Sequence, residues 1–186
     1  ANKLGKVGGR DEPPPRSSQA DMHLEPRAAK DDGGGNSGAK DNKGGDGPRT
    51  TPSSDGDRVY ILDGRLTLHC LDARNGSNLW TVNLVKKHKA KLIRWQNAAA
   101  PIIDGDLIFV CGGGEKQSLI AINKLSGETV WSGESDQMTH ASPVVADIHG
   151  ERQVVFFTQK GLVSCNTESG KVLWRAAHAV KISPAA

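Results

Sequence analysis

The first 48 residues lack Phe, Trp, Tyr, Ile and Cys altogether. Their only large apolar residues are Leu4, Val7, Met22 and Leu24, and these are separated by runs of Pro, Gly and charged residues. Such a composition buries too little apolar area to offset the entropy lost when a chain becomes ordered. We therefore expect residues 1–48 to form a disordered head or linker, with an irregular loop over one face of the fold as the alternative.

The rest of the chain lacks long apolar runs, adjacent cysteines and a basic face. No stretch approaches the roughly 18 apolar residues of a membrane span, and no signal peptide is visible. Cys70, Cys111 and Cys165 lack metal-type spacing and are odd in number, so they predict buried small side chains rather than a zinc site or a disulfide set. The net charge of +3 has no aromatic-studded basic face beside it, which argues against nucleic-acid binding.

One motif is present three times in the remaining sequence. In each copy a short apolar stretch ends at Asp or Asn, a glycine follows four residues later, and a tryptophan follows four residues after the glycine. Successive tryptophans are separated by about 40 to 50 residues, an interval typical of propeller blades. The three copies are Asp72, Gly76 and Trp80; Asn123, Gly127 and Trp131; and Asn166, Gly170 and Trp174.

A proline and an Asp-Gly turn recur in phase with this motif. Pro52 and Pro101 each precede an Asp-Gly-Asp sequence, and Pro143 precedes a looser turn at residues 147–150. A β-rich run follows each of these turns. Proline is tolerated where a strand opens, and Asp-Gly and Asx-x-x-x-Gly sequences favour turns between strands. Each unit therefore predicts four short strands.

The predicted fold is all-β: a propeller segment of about three four-stranded blades with the start of a fourth, which leaves an incomplete ring. We expect the propeller to span residues 49–186, with blades near 50–98, 99–140 and 141–182 and the next blade starting at 183–186. No segment predicts a helix longer than one turn. Residues 112–114, a run of three glycines, are expected to form a hairpin turn, because the Lys-Ser/Thr of a phosphate loop does not follow them.

The repeat resembles the tryptophan-docking motif of the PQQ-like (pyrroloquinoline-quinone-type) propeller family, whose ideal form runs Ala-x-Asp-x-x-Thr-Gly-Lys/Glu-x-x-Trp. Ala121 fills the first position, and Cys70 and Ser164 replace it in the other copies. The family includes quinoprotein alcohol dehydrogenases and a propeller lipoprotein of outer-membrane assembly. The resemblance implies that each tryptophan packs between neighbouring blades against a glycine turn. It also implies a periplasmic or other extracytoplasmic location.

The resemblance allows two functions of different classes. The first is a non-catalytic interaction scaffold that binds protein partners or additional propeller blades. It is favoured because the acidic residues lie mostly in predicted turns and the adjacent-cysteine disulfide common in the enzymes has no counterpart. The alternative is a fragment of a quinoprotein alcohol dehydrogenase whose catalytic residues lie outside this chain. PQQ and Ca²⁺ are expected only in that alternative, and no residue of this chain is predicted to be catalytic or to bind a metal.

Trp95 is the one tryptophan outside the repeat register, in the long connection between Trp80 and Pro101. It either packs between blades or stacks beneath a planar ligand, which makes it a weak candidate for cofactor binding and leaves a small-molecule binder as a third hypothesis. The same connection carries a basic cluster that either forms a solvated loop or binds an anionic partner. The cluster comprises Lys86, Lys87, His88, Lys89, Lys91 and Arg94.

Overall fold

The computed structural model describes residues 49–93 and 96–178. Within these ranges the chain forms twelve strands and one short helix, which confirms the all-β prediction. The predicted head at residues 1–48, Trp95 and the predicted start of a fourth blade at 183–186 lie outside the described residues. No helix in the described ranges is both long enough and apolar enough to cross a membrane.

The strands form three separate four-stranded antiparallel sheets, each in simple sequence order. Blade 1 contains β1 (Ser53–Ser54), β2 (Arg58–Leu62), β3 (Thr67–Asp72) and β4 (Asn78–Asn83). Blade 2 contains β5 (Ile102–Asp104), β6 (Leu107–Gly114), β7 (Gln117–Asn123) and β8 (Thr129–Gly133). Blade 3 contains β9 (Val144–Ile148), β10 (Glu151–Thr158), β11 (Gly161–Asn166) and β12 (Val172–Ala177). The described residues therefore form three propeller blades that do not close a ring.

A β-bulge precedes the tryptophan in the fourth strand of every blade. Trp80 pairs with Cys70, whereas Asn78 pairs with Leu71, so Leu79 between them has no partner in the register. Equivalent register shifts occur in the other two sheets. Because successive side chains of a strand point to opposite faces, one extra residue transfers the following side chain to the other face. We call the face that carries the tryptophan the front face of a blade, and the opposite face its rear face.

The hydrophobic core is continuous through all three blades. Its largest fully buried side chains include Tyr60 of blade 1, Phe109 of blade 2 and Phe156 of blade 3. Blade 2 is buried on both faces, since Phe109 on the front face and Ile108 on the rear face are each 0% exposed. The blades therefore cover one another face to face, and the three cysteines lie buried in this core as expected.

Two local expectations were wrong. Residues 112–114 belong to β6 rather than to the hairpin turn, which lies at Glu115 and Lys116. Gly114 must be a glycine because the backbone of the preceding connection passes close by: a Cβ atom added there would lie 2.1 Å from the carbonyl oxygen of His88. That connection also contains a five-residue helix, α1 (Leu84–His88), which is slightly longer than one turn.

Candidate functional site at the blade junctions

The motif residues of successive blades meet at the two blade junctions. The ring of Trp80 lies against Gly127 of blade 2, and that of Trp131 lies against Gly170 of blade 3. A Cβ atom added at Gly127 would lie 3.0 Å from Trp80 Cδ2, and one at Gly170 would lie 2.6 Å from Trp131 Cδ2. Both glycines also have positive φ angles, 75° and 70°. Only glycine combines this backbone conformation with room for the ring.

The indole N–H of each of these tryptophans donates to the turn of the next blade. Trp80 Nε1 lies 3.2 Å from the carbonyl oxygen of Lys124, and Trp131 Nε1 lies 2.8 Å from that of Thr167. A second aromatic ring of the same blade lies 6.0 or 5.9 Å from the indole, that of Tyr60 or Phe109. Each junction therefore combines apolar contact with a satisfied polar group.

The Asp or Asn of each motif holds its own turn. Asn123 Oδ1 accepts two backbone N–H groups of the turn, at 2.9 and 3.0 Å, and Asn166 does the same in blade 3. In blade 1, Asp72 accepts from the backbone N–H of Arg74 at 2.8 Å and from its guanidinium at 2.7 Å. The hydrogen bonds from Arg74 lower the pKa of Asp72 to about 2. These polar side chains are thus engaged in shaping the turns.

The tryptophan of blade 3 makes its hydrogen bond within its own blade. Trp174 Nε1 donates to Gln153 Oε1 of the same blade at 2.9 Å, and the hydroxyl of Ser164 donates to the same oxygen at 2.6 Å. Trp174 is 36% exposed. Gln153 thus takes the place of the carbonyl group that a neighbouring turn supplies at the other two junctions.

Gly170→Ala is expected to destabilise the protein by about 1–3 kcal/mol more than Gly76→Ala, because the added methyl group overpacks against Trp131. Gly76 is a matched control: its φ of 71° equals that of Gly170 within a degree, yet a Cβ atom there meets nothing within 4 Å. The backbone strain is therefore the same in both variants. Urea denaturation followed by circular dichroism measures the difference, and equal losses would show that the ring contact contributes nothing.

The basic connection is not simply a solvated loop, because His88 at the end of α1 is only 3% exposed. Its Nδ1 lies 3.1 Å from Gln117 Oε1, and its Nε2 lies 2.9 Å from Thr129 Oγ1. Lys87 adds an ion pair of 3.2 Å with Glu128. The helix therefore ties blade 1 to blade 2. The sequence showed only a histidine among lysines, so no signal predicted its burial.

The free energy of unfolding is expected to fall as the pH drops below about 6.5, through His88. Burial lowers the pKa of His88 below its usual value of 6.5, and the charge of neighbouring Lys87 acts in the same direction. The unfolded chain therefore binds the proton more readily, and stability is lost at acid pH by up to about 1.4 kcal/mol per pH unit. His88→Gln should flatten this dependence between about pH 7 and 5, whereas exposed His178→Gln should keep it. Urea titrations across that range measure both slopes, and equal slopes would exclude His88 as the source.

Acidic side chains outside the motif bridge the blades. Asp55 of blade 1 pairs with Lys124 of blade 2 at 3.4 Å, and Asp104 of blade 2 pairs with Arg152 of blade 3 at 2.6 Å. These two acids occupy the same position in the Asp-Gly turns of their blades. The recurring ion pair is thus part of the junction, and it was not recognised in the sequence because its basic partner comes from a different position in each blade.

The donor set for a metal-assisted quinone site is not assembled in the described part of the chain. No three His, Cys, Asp or Glu side chains of residues 49–93 and 96–178 lie together in a way that could hold a metal ion. The described residues therefore offer no such cluster to the Ca²⁺ expected in the dehydrogenase alternative. Trp95, the candidate for stacking on a planar ligand, lies outside the described residues.

A groove runs along the junction of blades 1 and 2. It encloses about 510 Å³ and combines two exposed apolar side chains, Leu79 and Leu125, with charged ones. Arg58 lines the groove and donates to the carbonyl oxygen of Leu125 at 3.0 Å. The other lining residues are Asp55, Asp57, Asp72, Arg74 and Lys124.

The family model described as outer membrane protein assembly factor BamB, a PQQ-type repeat model, matches residues 21–181. The chain belongs to this family. The resemblance noted in the repeats is thereby confirmed. A search of curated proteins finds no match.

Solved structures show the same fold at low sequence identity. BamB from Moraxella catarrhalis is 18% identical with a TM-score of 0.50, over 69% of this chain and 36% of that chain. A quinohemoprotein alcohol dehydrogenase from Comamonas testosteroni is 19% identical with a TM-score of 0.50, over 70% and 21%. The quinohemoprotein alcohol dehydrogenase ADHIIG from Pseudomonas putida HK5 is 20% identical with a TM-score of 0.51, over 70% and 20%. The chain thus spans about a third or less of these relatives.

Proposed function

We propose that this chain is a non-catalytic PQQ-like propeller segment that binds other proteins as a scaffold outside the cytoplasm. Its family is described as an outer membrane assembly factor, which supports a role in assembly rather than in chemistry. Members of the same fold also include dehydrogenases, so the fold alone favours neither class. The choice between a scaffold and a dehydrogenase therefore rests on the contacts that the side chains of this chain make.

The observation that carries the proposal is that the most buried acidic and imidazole side chains of the described residues make structural contacts. Asp55 and Asp104 bridge blades, and Asp136 is 2% exposed between two basic side chains. Asp72 holds a turn, and His88 is hydrogen-bonded through both ring nitrogens. A catalytic acid or base needs access to a substrate, whereas Asp104, Asp136 and His88 are held by contacts within the protein.

The groove between blades 1 and 2 is the proposed binding surface for a protein partner. Leu79 is 45% exposed and Leu125 is 54% exposed, and charged side chains surround both. Apolar anchors within a polar rim are typical of protein interfaces. Arg58 and Arg74 add guanidinium groups, which are enriched at such surfaces. The expected partner is an extended or looped polypeptide with apolar and charged side chains.

Photo-crosslinking tests this surface. Benzoylphenylalanine at Leu125 should give discrete polypeptide adducts when the chain is exported to a bacterial periplasm and irradiated. The same probe at Lys171, an exposed residue of blade 3 that does not line the groove, is the control. Adducts of equal yield at both positions would contradict a specific surface in the groove.

The dehydrogenase alternative has its own assay. Purified chain supplied with PQQ, Ca²⁺ and a primary alcohol is expected not to reduce an electron-accepting dye. Tryptophan fluorescence is expected not to change on addition of the quinone. Quinone-dependent dye reduction at a rate above that of the heat-denatured chain would overturn the scaffold proposal.

A further inference from the structure

A second depression adjoins the groove along the outer strand of blade 1. It encloses about 410 Å³ between β4 and the motif turn of blade 2, and its lining includes Trp80, Thr81 and Ser126. Leu79 and Leu125, which line the groove, directly precede Trp80 and Ser126 in the chain. The groove and this rim depression therefore form one continuous channel along the seam between blades 1 and 2.

The backbone of β4 is open on the side of this channel. Among the described strands, β4 pairs with β3 alone. Just beyond that ladder the N–H of Leu84 donates to the carbonyl oxygen of Leu66 at 3.0 Å. Hydrogen-bonded and non-hydrogen-bonded pairs alternate along an antiparallel ladder, so the pair of Thr81 with His69 is a non-hydrogen-bonded one. The backbone N–H and C=O of Thr81 therefore point to the open edge, where another strand can pair with them.

The end of the channel beside α1 carries an unpaired positive charge. Lys86 lines the rim depression, its side chain is exposed, and none of the described residues forms an ion pair with it. Its neighbours Lys87 and Glu128 line the same depression but pair with each other at 3.2 Å. The three side chains together thus leave one positive charge. An acidic side chain of a bound segment would meet the free ammonium group there.

The apolar and charged parts of the channel have a defined spacing along β4. Leu79, which with Leu125 forms the apolar part, lies four residues before Asn83, whose side chain accepts the backbone N–H of Lys86 at 2.9 Å. Four residues of a strand span about 13 Å. Residues four apart in a strand also point to the same face. A strand lying along β4 would therefore present an apolar and an acidic side chain about four positions apart to these two parts.

We propose that an extended segment of a partner protein pairs with the outer edge of β4, with an apolar side chain between Leu79 and Leu125 and an acidic side chain beside Lys86. In this mode of recognition the main-chain hydrogen bonds supply affinity, and alternate side chains supply specificity. The inference rests on the proposed scaffold function and names the chemistry of the partner. That partner is a β-strand with one apolar and one acidic residue on the same face.

Fluorescence polarisation with the full chain tests the charge. The probes are two fluorescein-labelled threonine-rich peptides in which leucine and glutamate lie four positions apart, in either order, and at least one of them should bind. Lys86→Glu should raise its dissociation constant about tenfold, because an attraction is lost and a repulsion gained, each worth a few-fold. Lys171→Glu, at an exposed position that lines neither the groove nor the rim depression, is the control and should change nothing. Replacing the glutamate of the peptide by lysine should restore binding to Lys86→Glu, which also shows that this variant is folded.

N-methylation of the bound peptide tests the strand pairing without altering the protein. Successive backbone N–H groups of a strand point to opposite edges, so only every second one can face β4. Methylating one alternate set of peptide nitrogens should abolish binding, whereas methylating the other set should change the dissociation constant by no more than about threefold. Equal effects of the two sets would overturn the pairing with β4.

Photo-crosslinking at Thr81 separates this inference from the scaffold proposal. Benzoylphenylalanine at Thr81 should give the same adducts as at Leu125, since both positions line the channel. Adducts at Leu125 with none at Thr81 would overturn the strand pairing and leave the scaffold proposal standing, whereas adducts at neither position would contradict both. Failure of both peptides to bind at up to about 1 mM, or binding that Lys86→Glu does not weaken, would also overturn the inference.

Discussion

Trp131→Ala is expected to lower the free energy of unfolding by about 3 kcal/mol, at the lower end of the range for deleting a large aromatic side chain from a core. The substitution removes the ring that lies against Gly170 and the hydrogen bond to the carbonyl oxygen of Thr167. It also removes the ring packed against Phe109. Because these contacts join blade 2 to blade 3, their loss should weaken the coupling between the unfolding of the two blades. Urea denaturation followed by circular dichroism gives the free energy.

Hydrogen exchange locates the effect of this substitution. Amide protons of β9 to β12 should exchange faster in Trp131→Ala than those of β1 to β4, since each blade is stabilised by its neighbours as in other repeat architectures. Trp174→Ala is the matched control and should cost only about 1 kcal/mol, because that ring is 36% exposed and bonded within its own blade. Equal losses for the two variants would contradict a special role for the junction.

Asp136→Ala is expected to cost about 3 kcal/mol, because it breaks a buried ion pair from one side. Asp136 is 2% exposed, and its carboxylate oxygens lie 2.9 Å from Lys160 Nζ and 2.8 Å from Arg175 Nη1. Its backbone N–H is bonded to Ser118 of blade 2, whereas both basic partners belong to blade 3. Asp147→Ala removes a more exposed ion pair, of 2.9 Å to Arg152, and should cost no more than about 1 kcal/mol. Chemical denaturation at neutral pH compares the two.

The cost of losing Asp136 should depend on pH. Burial acts to raise the pKa of Asp136, but hydrogen bonds from Arg175 and Lys160 outweigh it and hold the pKa below its usual value of 3.8. The stabilisation is therefore complete above about pH 4 and is lost as the pH falls through the lowered value. The difference between wild type and Asp136→Asn should accordingly narrow below about pH 4. A difference that stayed constant down to pH 2 would contradict this assignment.

Most of the fold could be predicted because the repeat signals act locally. A proline at the opening of a strand, an Asp-Gly turn and an Asx-x-x-x-Gly turn each determine a few backbone angles from adjacent residues. The prediction of a hairpin turn at residues 112–114 was wrong because it treated a long-range requirement as a local one. Gly114 is required by the distant backbone of His88 rather than by a turn of its own.

The sequence predicted which residues form the candidate site but not the contacts between them. The motif placed Trp131 and Gly170 in their blades, but their contact depends on how two sheets pack. Trp174 has the same local sequence context and yet lies half-open with its indole N–H bonded to Gln153. Only the covering of one blade by the next distinguishes these two tryptophans.

By itself, the sequence determined that this protein consists of four-stranded PQQ-like blades, because turn residues and strand periodicity act over short distances. The tertiary structure decided which residues the blades use to hold one another. It turned each tryptophan to the front face through a β-bulge and buried His88 between blades 1 and 2. Among the described residues, it also left Leu162 and Trp174 of blade 3 each 36% exposed. These properties arise from packing between residues tens of positions apart, and a local pattern carries no information about them.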